Sequence, residues 1–322
     1  MLENFCEIPI TAFENISVGH QQDQQNATGV TVIYSSKLMP AGVDVRGGGP
    51  ASKETTLLNP LAAAKGINAL CLCGGSAYGL DATSGVMQYL EEKHIGFETK
   101  DGVVPLVCAS SIYDLGLVNS KIRPDKNMGY QACVNGENSN CQSGNIGVGI
   151  GATVGKLFGP KNMMKSGLGY YGMQIGALKI GAIVVVNALG DVFDYQTNQK
   201  LAGLTADNGQ FLDTETEFSK LLTKNPNLYH ENTTIGTIIT NAKFDKTQMN
   251  KIAAVAQNGL VRTIRPVHTS YDGDSVYALS CGELENVDLD IVGMLASTVM
   301  AKAINQAVLN TKSLYGIKAC KA

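Results

Sequence analysis

A hydroxyl group is a poor nucleophile until a base takes its proton. Two stretches of this 322-residue chain hold residue types that meet that need. In the first, the polar, turn-forming run Lys224 to Glu231 stops at Asn232, and Thr233-Thr234-Ile235-Gly236-Thr237-Ile238-Ile239-Thr240 begins a β-branched, buried strand. The strand begins at Thr233 or Thr234, and a cut at this junction would create an amino terminus carrying both a nucleophile and its own base, an α-amine of pKa about 7.7–8.0. The plain alternative is that Thr233-Thr234 only starts a strand. In the second stretch, Asp272-Gly273-Asp274 precedes another strand, so both carboxylates can point the same way. That pair reads as a divalent-metal site with His268 as the only other local ligand, as a turn closed by Asx bonding, or as a pair orienting another group.

Other chemistry-bearing patterns are weaker. Gly74-Gly75-Ser76-Ala77-Tyr78 sits where a strand meets a helix, but Tyr78 replaces the glycine a nucleophile elbow needs. The glycine-dense Gly144 to Lys156 fails as a P-loop: three residues rather than four separate Gly151 from Gly155, and Leu157 follows Lys156. It fails as a dinucleotide fingerprint because polar loop precedes it and no acidic residue follows at the right distance. Val45-Arg46-Gly47-Gly48-Gly49-Pro50 runs a short strand into three glycines, suited to a tight backbone crossing or an anion nest.

The elements that must position these residues alternate between strands and helices. Strands are expected near 16–20, 28–34, 43–46, 69–73, 103–108, 181–187, 233–240 and 275–280. Helices are expected over 77–92, 215–222, 246–259 and 291–309, with Leu80, Ser84, Met87 and Leu90 inward on the first. Gly190-Asp191 predicts a hairpin from the 181–187 strand into Val192-Phe193-Asp194-Tyr195, and 119–145 reads as loop. Continuous apolar strands imply sheets covered on both faces. Two packed sheets with helices outside, an αββα sandwich, fit this order better than a doubly wound sheet.

Composition narrows the partners. A net charge of -3, 6% aromatic residues and no Trp give no case for nucleic acid or an anionic membrane. The apolar run Ile180 to Leu189 is too short to span a bilayer, and Met1 to Glu7 lacks the regions of a signal peptide. Cys71, Cys73 and Cys108 lie in apolar runs and Cys71-x-Cys73 is not a zinc spacing, so a reducing, cytoplasmic location is expected with no metal and no cofactor. Only 16% of residues are charged and 36 are glycine, compatible with a homo-oligomer.

Taken together, Val45 to Pro50, Cys73 to Asp81, Ile112-Tyr113-Asp114, Gly151 to Lys156, Asn232 to Gly236 and Arg265 to Asp274 resemble the P1 family, peptidase S58. That family holds DmpA-type aminopeptidases, β-peptidyl aminopeptidases and nylon-oligomer hydrolases. The blocks keep family order from about residue 15 to 310. The resemblance implies one αββα domain of the N-terminal-nucleophile type, made as a precursor that cuts itself into an α-chain of 1–232 and a β-chain of 233–322, assembled as a homo-oligomer (tetramer). It makes Thr233 the nucleophile, places Asp272 and Asp274 beside it, and puts Tyr113, Lys156 and Asn187 around the oxyanion. In chemical terms the acids would hold the amine and hydroxyl, Asn187 and Tyr113 would donate to the developing anion, and Lys156 would favour it electrostatically. Several aminopeptidase members carry Ser where this chain has Thr233 and Asp272, so their substrate preferences do not transfer. The expected substrate is a small peptide or a β- or ω-amino-acid amide. The ornithine acetyltransferases share this fold and an autocleaved Thr, so acyl transfer is the alternative, and an uncleaved amide-binding protein is a third.

Overall fold

In the computed structural model the described residues are 5–138, 141–221 and 232–320; the polar run expected before the junction, 224–231, lies outside them. Two sheets carry the fold. The six-stranded sheet has the order β1-β12-β13-β16-β18-β4, built from β1 (Cys6–Glu7), β4 (Ala41–Val45), β12 (Leu168–Ile175), β13 (Leu178–Asn187), β16 (Thr233–Ala242) and β18 (Ser275–Leu284). The five-stranded sheet has the order β2-β3-β6-β9-β5, from β2 (Ser17–Asp23), β3 (Thr28–Met39), β5 (Ala51–Lys53), β6 (Ile67–Cys73) and β9 (Val107–Ser111). Small ladders join β7 (Phe97–Thr99) to β8 (Gly102–Val104), β10 (Thr153–Val154) to β11 (Met164–Lys165), and β14 (Asp191–Phe193) to β15 (Lys200–Ala202) and β17 (Ile264–Arg265). The helices are α1 (Ala82–Glu92), α2 (Lys126–Gly136), α3 (Thr214–Ser219), α4 (Lys246–Thr263) and α5 (Leu289–Leu309).

Three apolar cores separate four layers. Alternation along β13 and β16 sends Ile183, Val185, Ile235 and Ile239 inward, where they meet Ile33, Leu70, Leu72 and Cys108 of the other sheet. The opposite faces of those strands, Val184, Val186 and Ile238, pack under α4 and α5. On the far side Val30, Val32, Cys71 and Ala109 pack under α1 and α2. Tyr277 of β18 and Ser110 of β9 share a hydrogen bond of 2.7 Å between the sheets. The molecule is the expected αββα sandwich.

Several local expectations change. The 119–145 segment holds α2, whose polar, glycine-bearing sequence gives little helical signal. Asp125 caps it by accepting from Met128 N at 2.9 Å, and its glycine lets α1 approach so closely that a Cβ on Gly129 would lie 1.9 Å from Ala82 O. Tertiary packing overrides propensity there. The buried face of α1 is Ala82, Thr83, Gly85, Val86, Tyr89 and Leu90, one step round from the expected stripe except at Leu90. Pro105 divides the expected 103–108 strand between β8 and β9. The 190–191 turn does not fold back on β13. The Asp191 carboxylate draws the chain aside by accepting from Leu204 N, Thr214 N and Oγ1, and Lys200 Nζ, and β14 pairs with β15 and β17. Helix α4 runs past Gly259, whose missing side chain admits Met300 of α5. Helix α5 is long and apolar enough to cross a bilayer by length and composition, which the apolar-run argument overlooked; in this fold most of it is buried against the sheet.

Candidate active site

The sandwich brings the ends of four strands to one edge of the inter-sheet core. β16 runs antiparallel to β13 with Thr233 opposite Asn187, and parallel to β18 with Ile235 opposite Ser275. The first residue of β16, the last of β13 and the loop entering β18 therefore share one edge. By alternation Asn187 and Thr233 both stand on the inter-sheet face, in line with Val185 and Ile235. Thr233, Asn187, Asp272 and Asp274 are all buried.

The Thr233 hydroxyl donates to the carbonyl oxygen of Asn232, the residue just before it. The same carbonyl oxygen accepts from Gly273 N at 3.0 Å, and Asn232 forms an isolated parallel bridge with Asp272. A Cβ on Gly273 would lie 2.9 Å from Thr233 Oγ1, so glycine at this position leaves room for the hydroxyl. Asp274 Oδ1 accepts from Thr234 N at 2.7 Å, and its Oδ2 faces His268 Nδ1 at 2.9 Å. Asp272 Oδ2 accepts from Thr269 N at 2.6 Å. Asp272 thus ties the loop by bonding back to Thr269 rather than two residues on as an Asx turn does, and Asp274 also reaches across to the start of β16.

The glycine run after β4 secures this loop from outside. Arg46 N and Gly47 N donate to Asp274 O, Gly49 N to Asp272 O and Gly48 N to Thr269 O. A Cβ on Gly47 would stand 2.2 Å from Asp272 O. These amides are spent on protein carbonyls, so the run is a backbone crossing rather than an anion nest.

On the other flank Asn187 gathers the remaining expected residues. Its Oδ1 accepts from Lys156 Nζ at 2.6 Å and Thr153 N at 3.1 Å, and its Nδ2 donates to Tyr113 O at 2.9 Å. Lys156 is buried. In this state one of the two Asn187 amide hydrogens serves the Tyr113 carbonyl. Beyond them opens a small cleft lined by Tyr113, Leu117, Thr153, Lys156, Pro160 and Met163 among others. All six expected site residues therefore lie along one edge.

Burial and the neighbouring Asp274 charge push the Asp272 carboxyl up to about 6, against the Thr269 hydrogen bonds and the Lys156 charge that pull it down. Sequence reasoning passed over two buried groups here. Asp114, bound by Gly75 N at 2.7 Å and Thr28 Oγ1 at 2.8 Å, is raised to about 6 by burial. Lys165, wholly buried, is lowered to about 7 by burial while donating to Ala152 O and Ser166 O, each at 2.7 Å. The Ile112-Tyr113-Asp114 block signalled the first; Lys165 has only its place in an apolar, glycine-rich segment. Among the described residues no group of three or more His, Cys, Asp or Glu is placed to hold a metal ion.

With the geometry set out, comparison with known proteins decides the family. A model of peptidase family S58 matches residues 9–321. The chain belongs to peptidase family S58. This S58 chain is 36% identical to an uncharacterised aminopeptidase of Mycobacterium leprae, over 96% of its own length and 92% of the relative's. It is 28% identical to a 6-aminohexanoate-oligomer endohydrolase of Kocuria, over 92% of its length and 84% of that protein's. Among solved structures, an L-aminopeptidase D-Ala-esterase/amidase of Ochrobactrum anthropi, described as a variant of the Ntn-hydrolase fold, superposes with a TM-score of 0.69 at 17% identity, covering 97% of this chain and 90% of that one. A Burkholderia β-aminopeptidase superposes with 0.67 at 16% identity, over 98% and 92%. The S58 chain therefore has the Ntn-hydrolase fold and belongs to a family of aminopeptidases and amide hydrolases.

Proposed function

We propose that this S58 chain cuts itself between Asn232 and Thr233 and then acts as an N-terminal-threonine amide hydrolase. One observation carries the reading: the Thr233 hydroxyl rests against the carbonyl of its own preceding residue, and that carbonyl oxygen also receives the Gly273 amide. Maturation proceeds by attack of Oγ on the Asn232 carbonyl carbon. The Oγ–C bond forms, the C–N bond breaks, and the hydroxyl proton ends on the Thr233 amine. The Gly273 N–H steadies the negative charge that gathers on the carbonyl oxygen. Water then hydrolyses the ester, leaving an Asn232 carboxylate and a free Thr233 with hydroxyl and amine.

In the mature site the α-amine takes the proton from Oγ as it attacks a substrate amide, and returns it to the departing amine. The resulting acyl ester is released by water. Asp274, anchored on Thr234 N, and Asp272 hold this amino-terminal end. Asn187, with Lys156 drawn onto its Oδ1, faces the reacting carbonyl from the opposite strand. The cleft wall of Leu117, Pro160 and Met163 suits a short, largely apolar acyl or amine portion, as in small peptides and β- or ω-amino-acid amides. A panel of α-, β- and ω-amino-acid amides offered to the purified protein tests this. Release of amine from at least one class, abolished in Thr233→Ala, is expected; turnover that survives Thr233→Ala means the nucleophile lies elsewhere.

A further inference from the structure

His268 was foreseen only as a possible metal ligand, yet the fold gives it a different partner. It holds a left-handed backbone, φ 60°, uncommon for a residue with a Cβ. That conformation aims two donors at one oxygen: its main-chain N lies 3.1 Å and its ring Nδ1 2.9 Å from Asp274 Oδ2. The other Asp274 oxygen accepts from Thr234 N at 2.7 Å. An ionised carboxylate can only accept, so Nδ1 carries the ring proton. The second ring nitrogen, Nε2, is buried with no hydrogen-bond partner among the described residues.

We infer that His268 is a positioning residue: it grips the Asp274 carboxylate from behind, which fixes the Thr234 amide and through it the place of the Thr233 hydroxyl. The inference rests on the proposed self-cleaving hydrolase. It concerns how the nucleophile is held, not which bond is cut. Contact with the reaction is indirect, running from ring to carboxylate to the main chain beside Thr233.

Two substitutions separate positioning from space filling. His268→Asn offers an N–H near the place of Nδ1 and tolerates the left-handed backbone. His268→Gln is closer in bulk, but its amide reaches toward the place of Nε2. Positioning predicts that His268→Asn keeps the self-cleavage rate and kcat within about threefold of wild type. It predicts that His268→Gln lowers both by about 10- to 100-fold with KM unchanged, the scale of a lost hydrogen bond to a charged group. Space filling predicts the opposite order. A His268→Gln chain that matches wild type or outperforms His268→Asn, a rise in KM with kcat intact, or a His268→Asn chain that fails to fold while His268→Gln folds, each overturns the inference while leaving the hydrolase reading standing. A wild-type chain that neither cleaves nor hydrolyses any amide overturns the hydrolase reading and takes the inference with it.

Discussion

The residues with chemistry to offer were legible as types at a junction: Thr233 where polar sequence meets a β-branched strand, and two acids flanking Gly273 before the next strand. What the sequence did not carry was their pairing. Asn187 and Lys156 are 31 positions apart and meet only because β13 and the loop after β10 share an edge. His268 turns to Asp274 through a left-handed backbone that its residue type does not announce. Titration of Asp272 gives a test at this scale. Its proton is held up to about pH 6, so if the ionised carboxylate steadies the amine, kcat/KM rises as pH climbs through about 6. Stability runs the other way. An acid that holds its proton more tightly folded than unfolded stabilises fully below its unfolded value of about 3.9, and that contribution is lost as pH rises through about 6. Uncleavable Thr233→Ala should therefore lose stability between about pH 4 and 6 in denaturant titrations. Adding Asp272→Asn should reduce that loss; Asp114, raised to about 6, still favours it, and His20, lowered to about 4 by burial, opposes it in both chains alike. An unchanged loss would mean that Asp272 is already ionised at pH 4.

At the scale of elements, strong apolar strands such as β13 and β16 and the long helices α4 and α5 declared themselves through hydrophobic runs and periodicity. Helix α2 did not, because its helicity depends on glycine-mediated contact with α1 rather than on its own sequence. The glycine run after β4 offered a backbone crossing as one of two readings, but its object, the acidic loop, is more than 220 positions away. Two alanine substitutions distinguish support from chemistry within this arrangement. Gly47→Ala places a Cβ 2.2 Å from Asp272 O, where backbone must move, and is expected to destabilise the fold by about 1–3 kcal/mol in thermal or denaturant unfolding. Gly273→Ala brings a Cβ 2.9 Å from Thr233 Oγ1, so it should suppress self-cleavage more than it lowers the melting temperature. Equal loss of stability and of cleavage in both variants would show that the loop acts only as scaffold.

For the whole molecule, the αββα sandwich explains why one edge gathers the Thr233 hydroxyl from one strand, a polar amide from its antiparallel neighbour and two acids from the loop entering its parallel neighbour. The order of strands and helices was enough to anticipate the layers; the strand order within each sheet, set by contacts distant in sequence, was not. The same architecture accounts for the low charge: 16% charged residues serve a chain that fills three apolar cores. The central claim is that breaking the Asn232–Thr233 bond creates the catalyst. Intact mass spectrometry of the denatured, purified protein, beside Thr233→Ala, tests it most directly. The account predicts two species with the masses of residues 1–232 and 233–322 in active wild type and one full-length, inactive chain in the variant; a full-length wild-type chain that hydrolyses amides without any cut would contradict it.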